Sequence, residues 1–141
     1  MAKTTELEAL YKATTYRVFL PGGMCELRIG QPCEKLKSWL KAGGYKEFAI
    51  ITAHNPGGQP VAAAQNAERQ AELECELIEG NYEPYAGENV ADDAAWPAEE
   101  SCFIADIAAE DACALADDFG QNAIVFGTAD GVAQLLWIET E

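Results

Sequence analysis

Beyond Arg69 the sequence has no basic residue. All nine lysines and arginines fall between Lys3 and Arg69 beside six acids, whereas residues 70–141 hold eighteen acids, and the formal net charge is -15. A field of that sign repels nucleic-acid backbones and makes a basic protein partner or a cation the natural charged companion; the plainer reading is that the carboxylates keep a small domain soluble. Histidine is reduced to His54 alone, which stands outside the helical stretch where a Glu-x-x-His metal pair would be needed. The five cysteines, Cys25, Cys33, Cys75, Cys102 and Cys113, form an odd set with no C-x-x-C pair and lie mostly in apolar runs. They read as reduced thiols of a cytosolic protein rather than as disulfides. No apolar run approaches the ~18 residues of a membrane helix, the opening residues lack a signal peptide's apolar segment, and the G-x-x-x-x-G-K-[ST] phosphate loop is missing. Export by that route, membrane insertion and a nucleotide-triphosphate loop are set aside, and a cytoplasmic location is expected.

What is present suits one domain. The 141 residues, 49% of them hydrophobic, can bury a continuous core without disulfides or a structural metal. Thr5 and Glu8 form a T-x-x-E capping box around Leu7, Leu10 and Tyr11, which predicts a short docking helix within residues 1–13. TYRVFL and MCELRIG alternate in polarity around Pro21-Gly22-Gly23, predicting a hairpin with Tyr16, Val18 and Leu20 on one face. Pro32 is expected as the first residue of a helix whose stripe is Leu36, Trp39 and Leu40 and which Gly43-Gly44 stops. FAIITA, residues 48–53, is apolar throughout, as a central strand buried on both faces would be. A long helix is predicted over about 61–79. NYEPYAGENVADDAAWPAEES is rich in turn formers and acids, which predicts one short strand and an irregular loop at Trp96-Pro97. CFIADI, a helix over 108–119, NAIVFG and VAQLLWI complete the chain. Together these elements predict a single α+β domain spanning 1–141, with a mixed β-sheet of about five to seven strands and three or four helices packed on it.

The loop Thr52-Ala53-His54-Asn55-Pro56-Gly57-Gly58 leaves a buried strand and enters a helix, a setting in which free backbone N–H groups can hold an anion. Pro56 is expected to keep Asn55 extended and to aim its amide into a pocket; the structural alternative is an Asx-type turn that caps the helix. Within the helix, Asn66 and Gln70 precede Leu73 and Leu77 on the inward stripe, where two amides either bond backbone carbonyls or open onto a pocket at the Asn55 end. Arg69, that helix's single base, pairs with Glu72 or serves a bound anion. Glu68, Glu72 and Glu76 form a ladder that reads as a solvated face rather than a cation site, so no metal is expected. No spacing supports His54 with a cysteine as base and nucleophile.

At TAHNPGG and again at FGQNAIVFG the chain resembles, over most of its length, a bacterial family known only as domain of unknown function 3293. The family's pattern is a strand running into T-A-x-N-P, an Asn in the next helix, a Trp-Pro-x-Glu-like stretch and a closing F-G-Q-N-A. This sequence supplies Thr52, Asn55 and Pro56, then Asn66, then Trp96, Pro97 and Glu100, then Gln121 and Asn122, with His54 at the variable position. The resemblance implies one shared site or one shared buried polar network. It brings no activity or cofactor with it.

These residues support three readings. In the first, the protein binds a polar or anionic small molecule between the Asn55 loop, the following helix and the Gln121-Asn122 turn, through Thr52, Asn55, Asn66, Arg69, Trp96, Gln121 and Asn122. In an enzyme version Glu100 is the catalytic acid or base, because a carboxylate beside a Trp can be held protonated. In the second, the acidic second half engages a basic partner. In the third, the motif residues only satisfy one another inside the fold.

Overall fold

The structure, a computed structural model, describes residues 5–56, 59–93, 95 and 97–138. Strand β1 (Thr14–Leu20) buries Thr14, Tyr16, Val18 and Leu20, every second side chain, as a strand with one covered face must. It follows the short helix α1 (Thr5–Lys12) and pairs with β2 (Gly23–Leu27) as the predicted hairpin. Helix α2 (Glu34–Gly43) buries Leu36 and Leu40 and is closed by Gly44, whose φ of 71° only glycine adopts at little cost. Pro32 does not open this helix. It forms an isolated bridge with Val132, and the N-cap position falls to Cys33. Strand β3 (Glu47–Ile51), helix α3 (Ala63–Glu79), strands β4 (Pro84–Ala91) and β5 (Glu99–Ala105), helix α4 (Ala109–Asp118) and strands β6 (Ala123–Thr128) and β7 (Gln134–Trp137) complete the chain.

The α+β architecture stands: among the described residues four helices accompany one seven-stranded sheet of order β2-β1-β4-β5-β3-β6-β7. Its pairings are antiparallel throughout rather than mixed. The reason lies in the crossovers. Helix α3 carries the chain from β3 to β4, and α4 carries it from β5 to β6. Each crossover joins strands of like direction yet skips one place, so β5 fills the gap left by the first and β3 the gap left by the second. No two parallel strands become neighbours.

Two cores result. On one face α2 covers Tyr16, Val18, Leu27, Phe48, Ile50, Phe103 and Val125; on the other, α3 and α4 cover Ala49, Ile51, Cys102, Ile104 and Ile124. Strand β3 contributes alternately to both, which explains its unbroken apolar run. The sheet curls around the α2 face. Tyr11 at the end of α1 reaches Trp137 on the far edge strand, ring centroids 5.8 Å apart and nearly perpendicular. Among the described residues no helix is long and apolar enough to cross a membrane.

Candidate functional site

Strand register gathers polar side chains at one end of the concave face. Tyr16 lies opposite Asn89 and Asn89 opposite Glu99, while Thr14 lies opposite Ala91. Helix α1 is tied down over this end: the Thr14 hydroxyl donates to the Leu10 carbonyl at 2.8 Å and the Tyr16 hydroxyl to the Tyr11 carbonyl at 3.2 Å. Between helix and sheet is a cavity of about 270 Å³. Leu7, Leu10 and Tyr11 roof it, Tyr16, Ile50, Asn89, Glu99 and Ala123 belong to its floor, and Thr52, His54, Asn55, Gln121 and Asn122 stand at its wall.

That wall is built by a network centred on Asn55. Its backbone is not extended before Pro56 as expected: φ is 47°, a left-handed conformation that Asn tolerates better than other side-chain-bearing residues. Four hydrogen bonds hold it there. Asn55 N–H donates to Asn66 Oδ1 and Asn66 Nδ2 donates back to Asn55 Oδ1, both at 2.9 Å; Val61 N–H donates to Asn55 Oδ1 at 3.2 Å; and Asn55 Nδ2 donates to Glu99 Oε2 at 2.9 Å. One turn along α3, Gln70 accepts from Ala53 N–H at 3.1 Å. Arg69 neither pairs with Glu72 in an ion pair nor lines the cavity: its Nε donates to the Ala53 carbonyl at 2.9 Å and a terminal nitrogen to the Phe119 carbonyl. Gln121 Nε2 adds bonds to the carbonyls of His54 and Phe119, at 3.1 and 3.3 Å. Gly120, at φ 70°, leaves room for Pro56, which a Cβ there would meet at 3.0 Å.

Of the residues expected from sequence, Thr52, Asn55, Gln121 and Asn122 therefore meet at the cavity, while Asn66 and Arg69 support the wall from behind. Trp96 lies outside the described residues. Glu100 does not line the cavity: its side chain is exposed and its position in β5 alternates with that of Glu99, while its carbonyl accepts from the Thr52 hydroxyl at 2.7 Å and its charge acts on His54 from outside. The acid in the cavity is Glu99. Two signals pointed there: Trp-Pro-x-Glu counted strictly from Trp96 ends on Glu99, and period two puts Glu99 with Ser101 and Phe103 on the inner face. Tyr11, Tyr16 and Asn89 were also missed as lining residues.

Burial raises the Glu99 carboxyl above its ordinary value, opposed by the Asn55 amide. The Tyr11 hydroxyl, facing the Asn122 side chain, is pushed up to about 12 by burial and by the Glu99 charge. Burial also raises Tyr16 and lowers His54, the latter opposed by Glu100. A raised carboxyl means that the native state holds its proton more tightly than the unfolded chain does. Its contribution is then fully present below the unfolded value and is lost as pH rises through the folded one. Glu99→Gln, which keeps an oxygen for Asn55, is expected to melt above the parent at neutral pH and together with it in acid; thermal midpoints from about pH 3.5 to about pH 8 read the difference.

Among the described residues no group of three or more His, Cys, Asp or Glu side chains is placed to hold a metal ion. Fold and site define a small α+β domain with a cavity beneath its first helix that is polar on one side and apolar on the other. The chain belongs to the family described as protein of unknown function DUF3293, matched over residues 51–124. The matched segment runs from the end of β3 into β6, so it contains the Asn55 network and Glu99 but not the roof of α1. No curated protein and no solved structure matches the chain.

Proposed function

We propose that this protein binds a small polar molecule in the cavity beneath α1. One observation carries this reading: His54 Nε2 and Asn89 Oδ1 are buried with no hydrogen-bond partner among the described residues, and both side chains line the cavity. A buried polar atom left unpaired costs about 1–3 kcal/mol, and two of them at one cavity are accounted for by a ligand that completes their bonds. The lining holds no Lys or Arg among the described residues, and Asn66 already accepts from the Asn55 N–H that an anion could have taken. A neutral or positively charged molecule fits this site better than an anionic one.

Asn89→Leu tests the reading. Leucine replaces the orphaned amide at similar volume, so the variant is expected to unfold several degrees above the parent, as follows from ~1–2 kcal/mol regained in a domain of this size. In equilibrium dialysis against a small-molecule cell extract, mass spectrometry should find at least one compound enriched by the parent and not by the variant. Enrichment of nothing, or of the same compounds by both, overturns the proposal.

A second reading has its own observation. Helices α3 and α4 lie on the same face, and Glu68, Glu72 and Glu76 of one and Glu110, Asp111, Asp117 and Asp118 of the other are all exposed. A basic protein bound there is expected to dissociate steeply with added salt and to ignore Asn89→Leu.

A further inference from the structure

We infer that the end of the ligand buried in this cavity is a positively charged nitrogen group, an ammonium, amidinium or guanidinium, seated against the carboxylate of Glu99. The inference rests on the small-molecule reading above and adds the ligand's chemical class.

Glu99 lies in the floor, where only one protein hydrogen bond, from Asn55 Nδ2, is made to its carboxylate among the described residues. Among the described residues no ion pair to it is formed. Lys12, Arg17 and Arg28 are paired with Glu8, Glu26, Glu88 and Asp92 elsewhere, and Arg69 is held by the carbonyls of Ala53 and Phe119. The titratable groups that share the cavity with Glu99 are Tyr11 from α1, Tyr16 from β1 and His54 from the loop after β3. Both phenols are neutral in this range, and burial disfavours the imidazolium. A half-buried carboxylate without a counter-charge is costly in proportion to the water it has lost, and a cationic ligand offsets that cost.

Hydrogen-bonding capacity points the same way. The carboxylate of Glu99 and the orphaned Asn89 Oδ1 are acceptors on adjacent strands, at directly paired positions. What satisfies two acceptors is a group that only donates, and ammonium, amidinium and guanidinium are such groups. Tyr11 and Tyr16 also line the cavity, and aromatic side chains attract the same charge. Leu7 and Leu10 in the roof offer apolar surface to whatever body carries the cation.

Benzamidine, benzamide and benzoate share one shape and differ in charge, so they separate the class from the pocket. Their binding to the full chain is read by chemical-shift perturbation and by thermal midpoint. Benzamidine is expected to bind at least about tenfold more tightly than either isostere. Glu99→Gln should cut its affinity at least about tenfold without weakening benzamide, in line with the loss of one charge-assisted contact. Benzamidine affinity should also rise with pH through the titration of Glu99, followed in the same samples by its side-chain carboxyl resonance. Equal binding of benzamide or benzoate, or an unchanged affinity in Glu99→Gln, overturns the cationic class while leaving the cavity as a binding site. Binding of none of the three overturns it as well, and the dialysis of parent against Asn89→Leu then judges the small-molecule reading independently.

Discussion

Asn66→Ala is expected to lower the unfolding free energy by about 3 kcal/mol and the thermal midpoint by about 10 °C. The side chain is buried and closes a two-bond fork on Asn55, accepting from its N–H and donating to its Oδ1, both at 2.9 Å. Removing it forfeits two bonds worth about 1 kcal/mol each and leaves the half-buried Asn55 N–H without its acceptor. It also removes support from a residue at φ 47°, a conformation that costs ~1–2 kcal/mol and persists only when its surroundings enforce it. Because Asn55→Ala deletes the side-chain half of the same fork, the double variant should be less damaged than the sum by about 1 kcal/mol. Asn66→Asp is no rescue, since it loses the donor and sets a carboxylate against Asn55 Oδ1. Urea unfolding of the parent and the four variants measures all of this, and a loss below about 1 kcal/mol for Asn66→Ala would show that the fork is not what holds the loop.

Arg69→Met is expected to cost about 2 kcal/mol, and Arg69→Lys to recover less than half of it. The guanidinium links two separate turns, donating to the carbonyl of Ala53 after β3 and to that of Phe119 after α4, while lying 5.8 Å from the centroid of the Phe119 ring. A lysine ammonium is a point donor and cannot span both carbonyls in the way a planar fork does. Phe119 keeps a bond from Gln121, so the larger part of the loss falls on Ala53. Chemical denaturation of the three proteins gives the ranking; a lysine variant as stable as the parent would show that charge, not geometry, is what Arg69 contributes.

Much of the architecture was legible because hydrophobic period and punctuation agree. Tyr16, Val18 and Leu20 declare one buried face, Leu73 and Leu77 declare a helical stripe, and Gly44 and Gly120 mark ends. Strand β4 was not legible at its true length. Gly87 sits where a Cβ would meet the Arg17 carbonyl and the Ser101 hydroxyl at 2.7 Å, Glu88 faces Arg17 in an ion pair, and Asn89 faces the cavity. Each residue weakens the strand pattern for a reason that exists only once neighbouring strands are in place. The antiparallel pairing was hidden for a similar reason, since sequence shows that a helix joins two strands but not that another strand will lie between them. At the site, the amides were visible as polar residues on apolar stripes. Their division was not: Asn55 and Gln121 face the cavity while Asn66 and Arg69 hold the wall, and register and a left-handed turn decide which is which. Glu99 and Glu100 differ by one position, and in a strand one position is the difference between cavity and solvent.

The contact of Tyr11 with Trp137 joins the helix at the front of the chain to the final strand. The cavity lining likewise joins the roof of α1 to Gln121, Asn122 and β6 far along the chain, and closing such a long loop carries a large entropy cost. During synthesis the Asn55 loop and Glu99 emerge before the Gln121-Asn122 turn and β6, yet the lining is complete only once these have docked. A ligand of this cavity therefore recognises the finished molecule, and its binding energy is added to the stability of the whole fold rather than to one local segment.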